Sequence, residues 1–201
     1  MGASRRRERN ELLVTANSHP DERPVLAAFR ARRSYSRVTD EAPDRAQLEE
    51  IVGALASIAD HSSLHPWRIL ALRGDARKRL GRALAKATGT RAEKGIAKAT
   101  RAPLVLAIVV SPRKSKKVPL WEQEAVASGV AHSLGLLLHE AGWGTMWRTG
   151  EATRSKRMRR ALELGKQEYL LGWIYVGKIP EQGKKPKPRK PLDLSRHLTE
   201  L

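Results

Sequence analysis

Pro103 to Val110 reads PLVLAIVV, and no other stretch limits the possible folds of this chain so strongly. Seven consecutive apolar residues are far short of the roughly 20 that a membrane-crossing helix requires. They also offer no polar position that could face water. Such a run is a strand covered on both faces, hence central in its sheet. Two further stretches have strand composition: Trp67 to Arg73 (WRILALR), closed by Gly74-Asp75, and Tyr169 to Val176 (YLLGWIYV). Between them lie helical patterns. A short helix is expected from Pro24 to Arg32, with proline in its first turn. Asp44 and Gln47 form a capping-box variant, after which Leu48, Ile51, Val52, Leu55 and Ile58 recur at helical spacing. Asp75 is read as capping a basic helix, Ala92 to Thr100 as a weaker helix, and Thr153 to Leu164 as a second basic one. Helices and strands alternate without the regular rhythm of a doubly wound chain, so the fold class is α+β.

The longest helix is expected from Leu120 to Ala141, opened by Pro119, about 33 Å long at 1.5 Å per residue. Glu122 and Glu124 in its first turn oppose the positive end of the macrodipole. Its middle is poor in charge and rich in small residues, Gly129 and Gly135 among them. Glycine inside a helix costs about 1 kcal/mol relative to alanine. Two of them imply close approach of another backbone or of a flat ligand. Gly142 ends the helix, and Gly144 with Gly150 brackets Trp147-Arg148-Thr149, which reads as a loop.

The 201 residues contain no cysteine and carry a formal charge of +18. Thiolate catalysis, Cys-ligated clusters and disulfides are thereby excluded, and the composition fits a reducing, cytoplasmic compartment. Arg5, Arg6, Arg7 and Arg9 mimic the start of a signal peptide, but only Leu12-Leu13-Val14 follows, so no export signal is read there. The charge makes nucleic acid or an anionic membrane surface the first suspect. Residues 1–23 hold five Arg against four acids and residues 178–201 seven bases against three acids, so most of the excess lies in the body. There it falls in scattered clusters. With nine aromatic residues and no recognisable nucleic-acid motif, a soluble basic surface is the better reading, and no specific nucleic-acid partner and no membrane partner are expected. Residues 1–23 are read as a poorly ordered polar extension, 24–180 as one domain, and 181–201 as a Lys/Pro-rich tail.

Neither a glycine-rich dinucleotide loop nor a P-loop is present, nor a G-x-S-x-G elbow. His132 and His139 share a helix face seven residues apart but have no evident third ligand, so no metal site is expected. Three polar constellations remain. Arg32-Arg33-Ser34 has the make-up of a phosphate clamp, two guanidiniums and a hydroxyl. Asp60 to Arg68 (DHSSLHPWR) packs polar groups against Pro66-Trp67 at a strand entrance. Trp147-Arg148-Thr149-Gly150 adds another Arg–hydroxyl pair.

Taken together and in this order, RRSYSR (32–37), DHSSLHPWRI (60–69), RAPLVLAIVV (101–110), KVPLWEQE (117–124), GWGTMWRTG (142–150) and GWIYVGKIP (172–180) resemble the nitroreductase family of FMN-dependent flavoproteins, in its compact single-domain bacterial subgroup. The resemblance covers residues 24 to 180. It implies an α+β sandwich with a central, mostly antiparallel sheet flanked by helices, in an intertwined homodimer whose subunits share two FMN sites. It further implies that Arg32, Arg33 and Ser34 hold the phosphate and ribityl end of FMN from one side, and that Trp147, Arg148 and Thr149 close from the other. Ser57 to His61 and the Pro66-Trp67 region would belong to the partner's contribution near the flavin ring. Relatives commonly carry Gln where His65 stands, and several carry Arg where Ser57 stands. The implied activity is hydride uptake from NAD(P)H and reduction of a small-molecule acceptor, a nitroaromatic or a quinone, in a ping-pong cycle whose chemistry belongs to the flavin. The other readings are a flavin-binding protein without turnover and, behind it, a basic nucleic-acid-associated protein.

Overall fold

A computed structural model describes residues 23–181 and 189–201. The extension read at residues 1–23 lies outside them apart from Arg23, and so does residues 182–188 of the tail. Four strands form one sheet: β1 (Trp67–Leu72), β2 (Leu104–Val110), β3 (Trp143–Arg148) and β4 (Tyr169–Lys178), in the order β1-β2-β4-β3. All three pairings are antiparallel. The apolar run is β2, interior to the sheet and buried at all seven positions. Its alternate residues divide between two cores. Val105, Ala107 and Val109 face α3 (Gly74–Thr88), α4 (Ala92–Ala99) and α6 (Lys156–Ala161), meeting Leu80, Leu84, Ala99 and Met158. Leu104, Leu106, Ile108 and Val110 face α5 (Leu120–Glu140), meeting Ala127, Val130, Leu134 and Leu138. The chain is therefore a helix–sheet–helix sandwich of α+β class.

The remaining helices are α1 (Pro24–Ala31) and α2 (Arg45–Ala54). In α2 the capping box is complete: the Asp44 carboxylate accepts from the Gln47 amide, and the Gln47 side chain accepts from the Asp44 amide. Four expectations change. The stretch read as a loop around Trp147 and Arg148 is the end of β3, whose pairing with β4 outweighs two glycines that break local strand propensity. The basic helix expected over Thr153–Leu164 is a 3₁₀ turn, Glu151–Arg154, followed by the shorter α6, because the Ser155 hydroxyl accepts from the Met158 amide and starts the helix there. Asp75 caps nothing. It stands inside the first turn of α3 and pairs with Lys78 at 2.8 Å. Inside the segment read as loop, His61–Ser63 makes one 3₁₀ turn.

Two devices fix how the sheet presents its β3 edge. Leu171 is an extra residue opposite Ile108/Val109, a bulge that puts Leu170, Trp173 and Tyr175 on the α3 side and Leu171, Ile174 and Val176 on the α5 side. The cross-strand glycines Gly144 and Gly177 leave room for Val38. A Cβ on Gly177 would stand 2.6 Å from Val38 Cγ2. That room lets the segment after α1 strap down the sheet, with the Tyr35 amide donating to the Thr145 carbonyl and the Thr39 amide to the Lys178 carbonyl, both at 2.9 Å.

One ion pair reports on acid stability. Arg68 of β1 donates through Nε and a terminal nitrogen to both carboxylate oxygens of Glu168, each at 2.7 Å. This bidentate pair, with the Gly165 amide, holds the Glu168 carboxyl down to about 2. A folded-state pKa below the unfolded one stabilises the fold above about pH 4.5, and that share is lost as the pH falls toward 2. Glu168→Gln should therefore melt lower than the parent at pH 7, with the gap narrowing from about pH 4.5 downward and clearly smaller at pH 3. A constant gap across thermal melts from pH 7 to 3 would refute the assignment.

Candidate functional site

The site is built along the free edge of β3. Helix α1 ends at Ala31, and Ser34 bridges to Thr145 in the parallel sense, so Arg32 to Ser34 are carried to that edge. Arg33 folds back onto the end of α1, its guanidinium donating to the carbonyls of Arg30 (2.5 Å), Ala31 and Arg32 (both 3.0 Å). Its Nε is buried and has no partner. Arg32 is half-buried, and burial, followed by Arg189 and Arg33, lowers its pKa. Arg189, from the C-terminal segment, donates to the Arg32 carbonyl. His139, in the last turn of α5, is held below its ordinary pKa by burial and then by Arg32 and Arg33, and its Nδ1 is buried without a partner. The Tyr35 ring stacks on it, centroids 6.5 Å apart.

Three guanidiniums and an imidazole thus converge where β3 and α5 begin and end. None of the three arginines makes an ion pair with a carboxylate among the described residues. Like charges gathered without a counterion raise the free energy of the bare protein and lower it once an anion arrives. Sequence reading singled out Arg32, Arg33 and Ser34 as a clamp, named His139 only as a histidine lacking a third metal ligand, and did not name Arg189. The tail's Lys/Pro composition concealed Arg189, and nothing in local spacing ties it to residue 32.

Trp147 and Arg148 are neighbours on β3 and point to opposite faces of the sheet. Trp147 packs on the α5 side, edge-on to His132 at 4.9 Å, with its indole N–H buried and unpartnered. Arg148 and Thr149 line a cavity on the α3 side. Gly172 makes this crossing possible, since a Cβ there would stand 2.5 Å from Trp147 Nε1, 2.6 Å from the Arg148 carbonyl and 3.0 Å from Thr149.

Ser57 and His61 lie elsewhere. Ser57 is the exposed last residue of a 3₁₀ turn that opens on buried Leu55, and His61 Nδ1 sits 2.9 Å from Glu122 in the first turn of α5. The arginine cluster sits by residue 139 of the same helix. Seventeen residues at 1.5 Å each separate the two along α5, about 26 Å. One chain therefore gathers Arg32, Arg33 and Ser34 near residue 139 and places Trp147 by His132, while His61 stands at the start of α5 and Ser57 precedes Ile58, which packs near Gly129 in the middle of the helix. The loop carrying His61 is strained. Ser62, Ser63 and His65 have φ of 63, 48 and 45°, and the Asp60 carboxylate holds it by accepting from the His65 amide at 2.7 Å.

The glycine face of α5 is open among the described residues. A Cβ on Gly135 would meet nothing within 4 Å, and one on Gly129 only Ile58 at 3.9 Å. Val25, Leu26 and Phe29 of α1 are exposed, and so is Trp121 at the start of α5, by 70%. No helix among the described residues is long and apolar enough to cross a membrane.

Comparison with known proteins gives a consistent result. The family model described as "Nitroreductase family" matches residues 29–178. A curated relative, "Putative NAD(P)H nitroreductase YdjA" of Escherichia coli strain K12, is 35% identical over 153 residues, covering 73% of this chain and 83% of its own. Among solved structures, a nitroreductase-like family protein from Bacillus cereus superposes with a TM-score of 0.76 at 19% identity, covering 92% of this chain and 99% of its own. The FMN and NADPH-dependent nitroreductase NfnB of Sphigopyxis sp. strain HMH superposes at 0.68 and 18%, covering 88% and 98%. At such identities the structures speak for the fold, and the curated relative and the family model for the lineage.

Proposed function

The chain belongs to the nitroreductase family, and on that premise we propose that it is an FMN-dependent oxidoreductase that takes hydride from NAD(P)H and reduces nitroaromatic or quinone acceptors. The observation that carries the reading is the cluster of Arg32, Arg33 and Arg189, unpaired by any carboxylate among the described residues. A phosphate dianion held without a P-loop needs several charge-assisted donors. The Nε of Arg33 and Nδ1 of His139 are buried, unpartnered polar atoms at that edge, and the unpartnered Nε1 of Trp147 lies over Gly172 of the neighbouring strand, so the residues present fit the group. Arg32, Arg33, Ser34 and Arg189 would hold the phosphate and ribityl end, with Trp147 and Thr149 closing along β3. Arg148, which the resemblance joins to Trp147 and Thr149, lines the cavity on the other face of the sheet, where its charge bears on Tyr175.

FMN, when bound, supplies the redox chemistry, and the protein supplies position and electrostatics. That division needs no nucleophilic side chain. Ser57 and His61 serve the flavin of a partner in this reading. The 26 Å along α5 between the His61 contact and the arginine cluster argues for it, because a twofold pairing of α5 helices brings the His61 end of one copy toward the arginine end of the other. Glu122 would fix the His61 ring there. The open glycine face of α5 and the exposed α1 residues supply the surface for that pairing. A cysteine-free chain suits a cytoplasmic location.

Two measurements test the proposal. The purified protein should be yellow, with flavin bands near about 370 and 450 nm, and should run at twice its 22.4 kDa chain mass. Steady-state oxidation of NADH or NADPH with a nitroaromatic acceptor should give parallel double-reciprocal lines, as donor and acceptor use one site in turn. A flavin-loaded protein that fails to turn over would favour the storage reading. A colourless one that shifts DNA at physiological salt would favour the nucleic-acid reading.

A further inference from the structure

Behind β3, on the face away from α5, lies a cavity of about 350 Å³. That is the lower end of the size range of small-molecule sites, roughly 300–1,000 Å³. Lys98 from the last turn of α4, Arg101 just beyond it and Arg148 at the end of β3 all line it, and Glu151 is the one carboxylate among the lining residues. None of the three cations forms an ion pair among the described residues. Behind them Trp173 and Tyr175 from β4 make an aromatic wall, both only 4% exposed. The Arg101 guanidinium stands 5.6 Å from the Tyr175 ring centroid, and the buried indole N–H of Trp173 has no partner. Thr88 and Thr149 also line it, the Thr88 hydroxyl donating to the Leu84 carbonyl at 2.9 Å.

Three cations against one acid leave an excess of two positive charges, which balances the charge of about −1.5 to −2 on a phosphate monoester near neutrality. A space of this volume takes more than a bare ion, and its aromatic and apolar wall (Leu84, Trp173, Tyr175) favours an organic body behind the phosphate. Burial keeps the Tyr175 hydroxyl above its ordinary pKa, hence protonated and able to donate. We propose that this cavity is a second anion site, separate from the arginine cluster at the β3 edge, that binds the phosphate monoester of a small organic molecule. Two sources present that chemistry: the 2′-phosphate of NADPH, reaching back from the neighbouring flavin site, and a free phosphorylated metabolite acting as an effector. The cavity is defined by side chains whatever becomes of the flavin reading.

The probe is adenosine 2′-monophosphate, titrated calorimetrically into the protein as purified, with adenosine as control. The phosphate form should bind at least tenfold more tightly than adenosine. The double variant Lys98→Ala/Arg101→Ala should lose that preference while its flavin content and melting temperature stay those of the parent. Competition with NADPH for turnover, together with a fall in the NADPH-over-NADH ratio of kcat/KM in the double variant, identifies the hydride donor as the source. Binding without competition identifies an effector. Equal or absent binding of the two probes overturns the site, as does a double variant that keeps the preference. Flavin absorbance, read separately, tells failure of this site from failure of the flavin assignment.

Discussion

Arg32→Ala combined with Arg189→Ala should yield a protein that purifies without flavin. Each residue is expected to make a charge-assisted contact to the same phosphate, worth about 1.5–3 kcal/mol. At 1.4 kcal/mol per tenfold, either change alone weakens FMN binding roughly 10- to 100-fold. The two share one ligand group, so their effects need not add, but the double variant should fall well below ordinary flavin concentrations. The fold should not suffer with it. Arg32 is disfavoured as a cation by its burial and by Arg189 and Arg33, so removing a like charge relieves repulsion in the unliganded protein. Melts of flavin-stripped protein should accordingly show the variant at least as stable as the parent. The readouts are the ratio of absorbance near about 450 nm to that of the protein, and a fluorescence titration of the stripped protein with FMN. Undiminished flavin content in the double variant would remove the phosphate assignment.

Gly172→Ala should damage stability and flavin binding together. The new methyl would lie 2.5 Å from Trp147 Nε1 and 2.6 Å from the Arg148 carbonyl oxygen. The second neighbour is backbone paired within the sheet, so it cannot swing aside as a flexible side chain can. Overpacking of this kind costs about 1–3 kcal/mol, and a sheet interior stands toward the upper end. Relief requires the end of β3 to move off β4, which carries Trp147, Arg148 and Thr149 with it. Thermal melts should show the stability loss, and flavin titration a weakening at temperatures where the variant is still folded. An unchanged flavin affinity in folded Gly172→Ala would mean that these residues do not contact the cofactor.

The two predictions differ in how far the sequence could have led to them. Arg32 stands in a recognisable Arg-Arg-Ser string, and its chemistry as an anion clamp follows from residue types alone. Gly172 sits in a run of strand-forming residues, and nothing nearby marks it as the point where Trp147 and Arg148 pass. The missed strand has a related cause. Trp143 to Arg148 contains a glycine and follows another, which locally reads as loop, yet six backbone partners on β4 hold it extended. The glycines of α5 read as marking a close approach, and among the described residues only Ile58 comes near one of them, 3.9 Å from a Cβ on Gly129, which leaves that face to a second copy in the proposed dimer.

Periodicity and end signals are local properties, so the sequence sufficed for them: PLVLAIVV as a two-faced central strand, the Asp44–Gln47 cap, and the long charge-poor helix after Pro119 all stand in the fold. Meetings between distant segments are another matter. Arg189 reaches Arg32 across 157 positions, and Arg148 shares a cavity with Lys98 and Arg101, only because strand order, the bulge at Leu171 and the Val38 strap bring those segments together. Such contacts arise from the packing of the whole sandwich, whose energy is summed over both cores and written in no single stretch of residues.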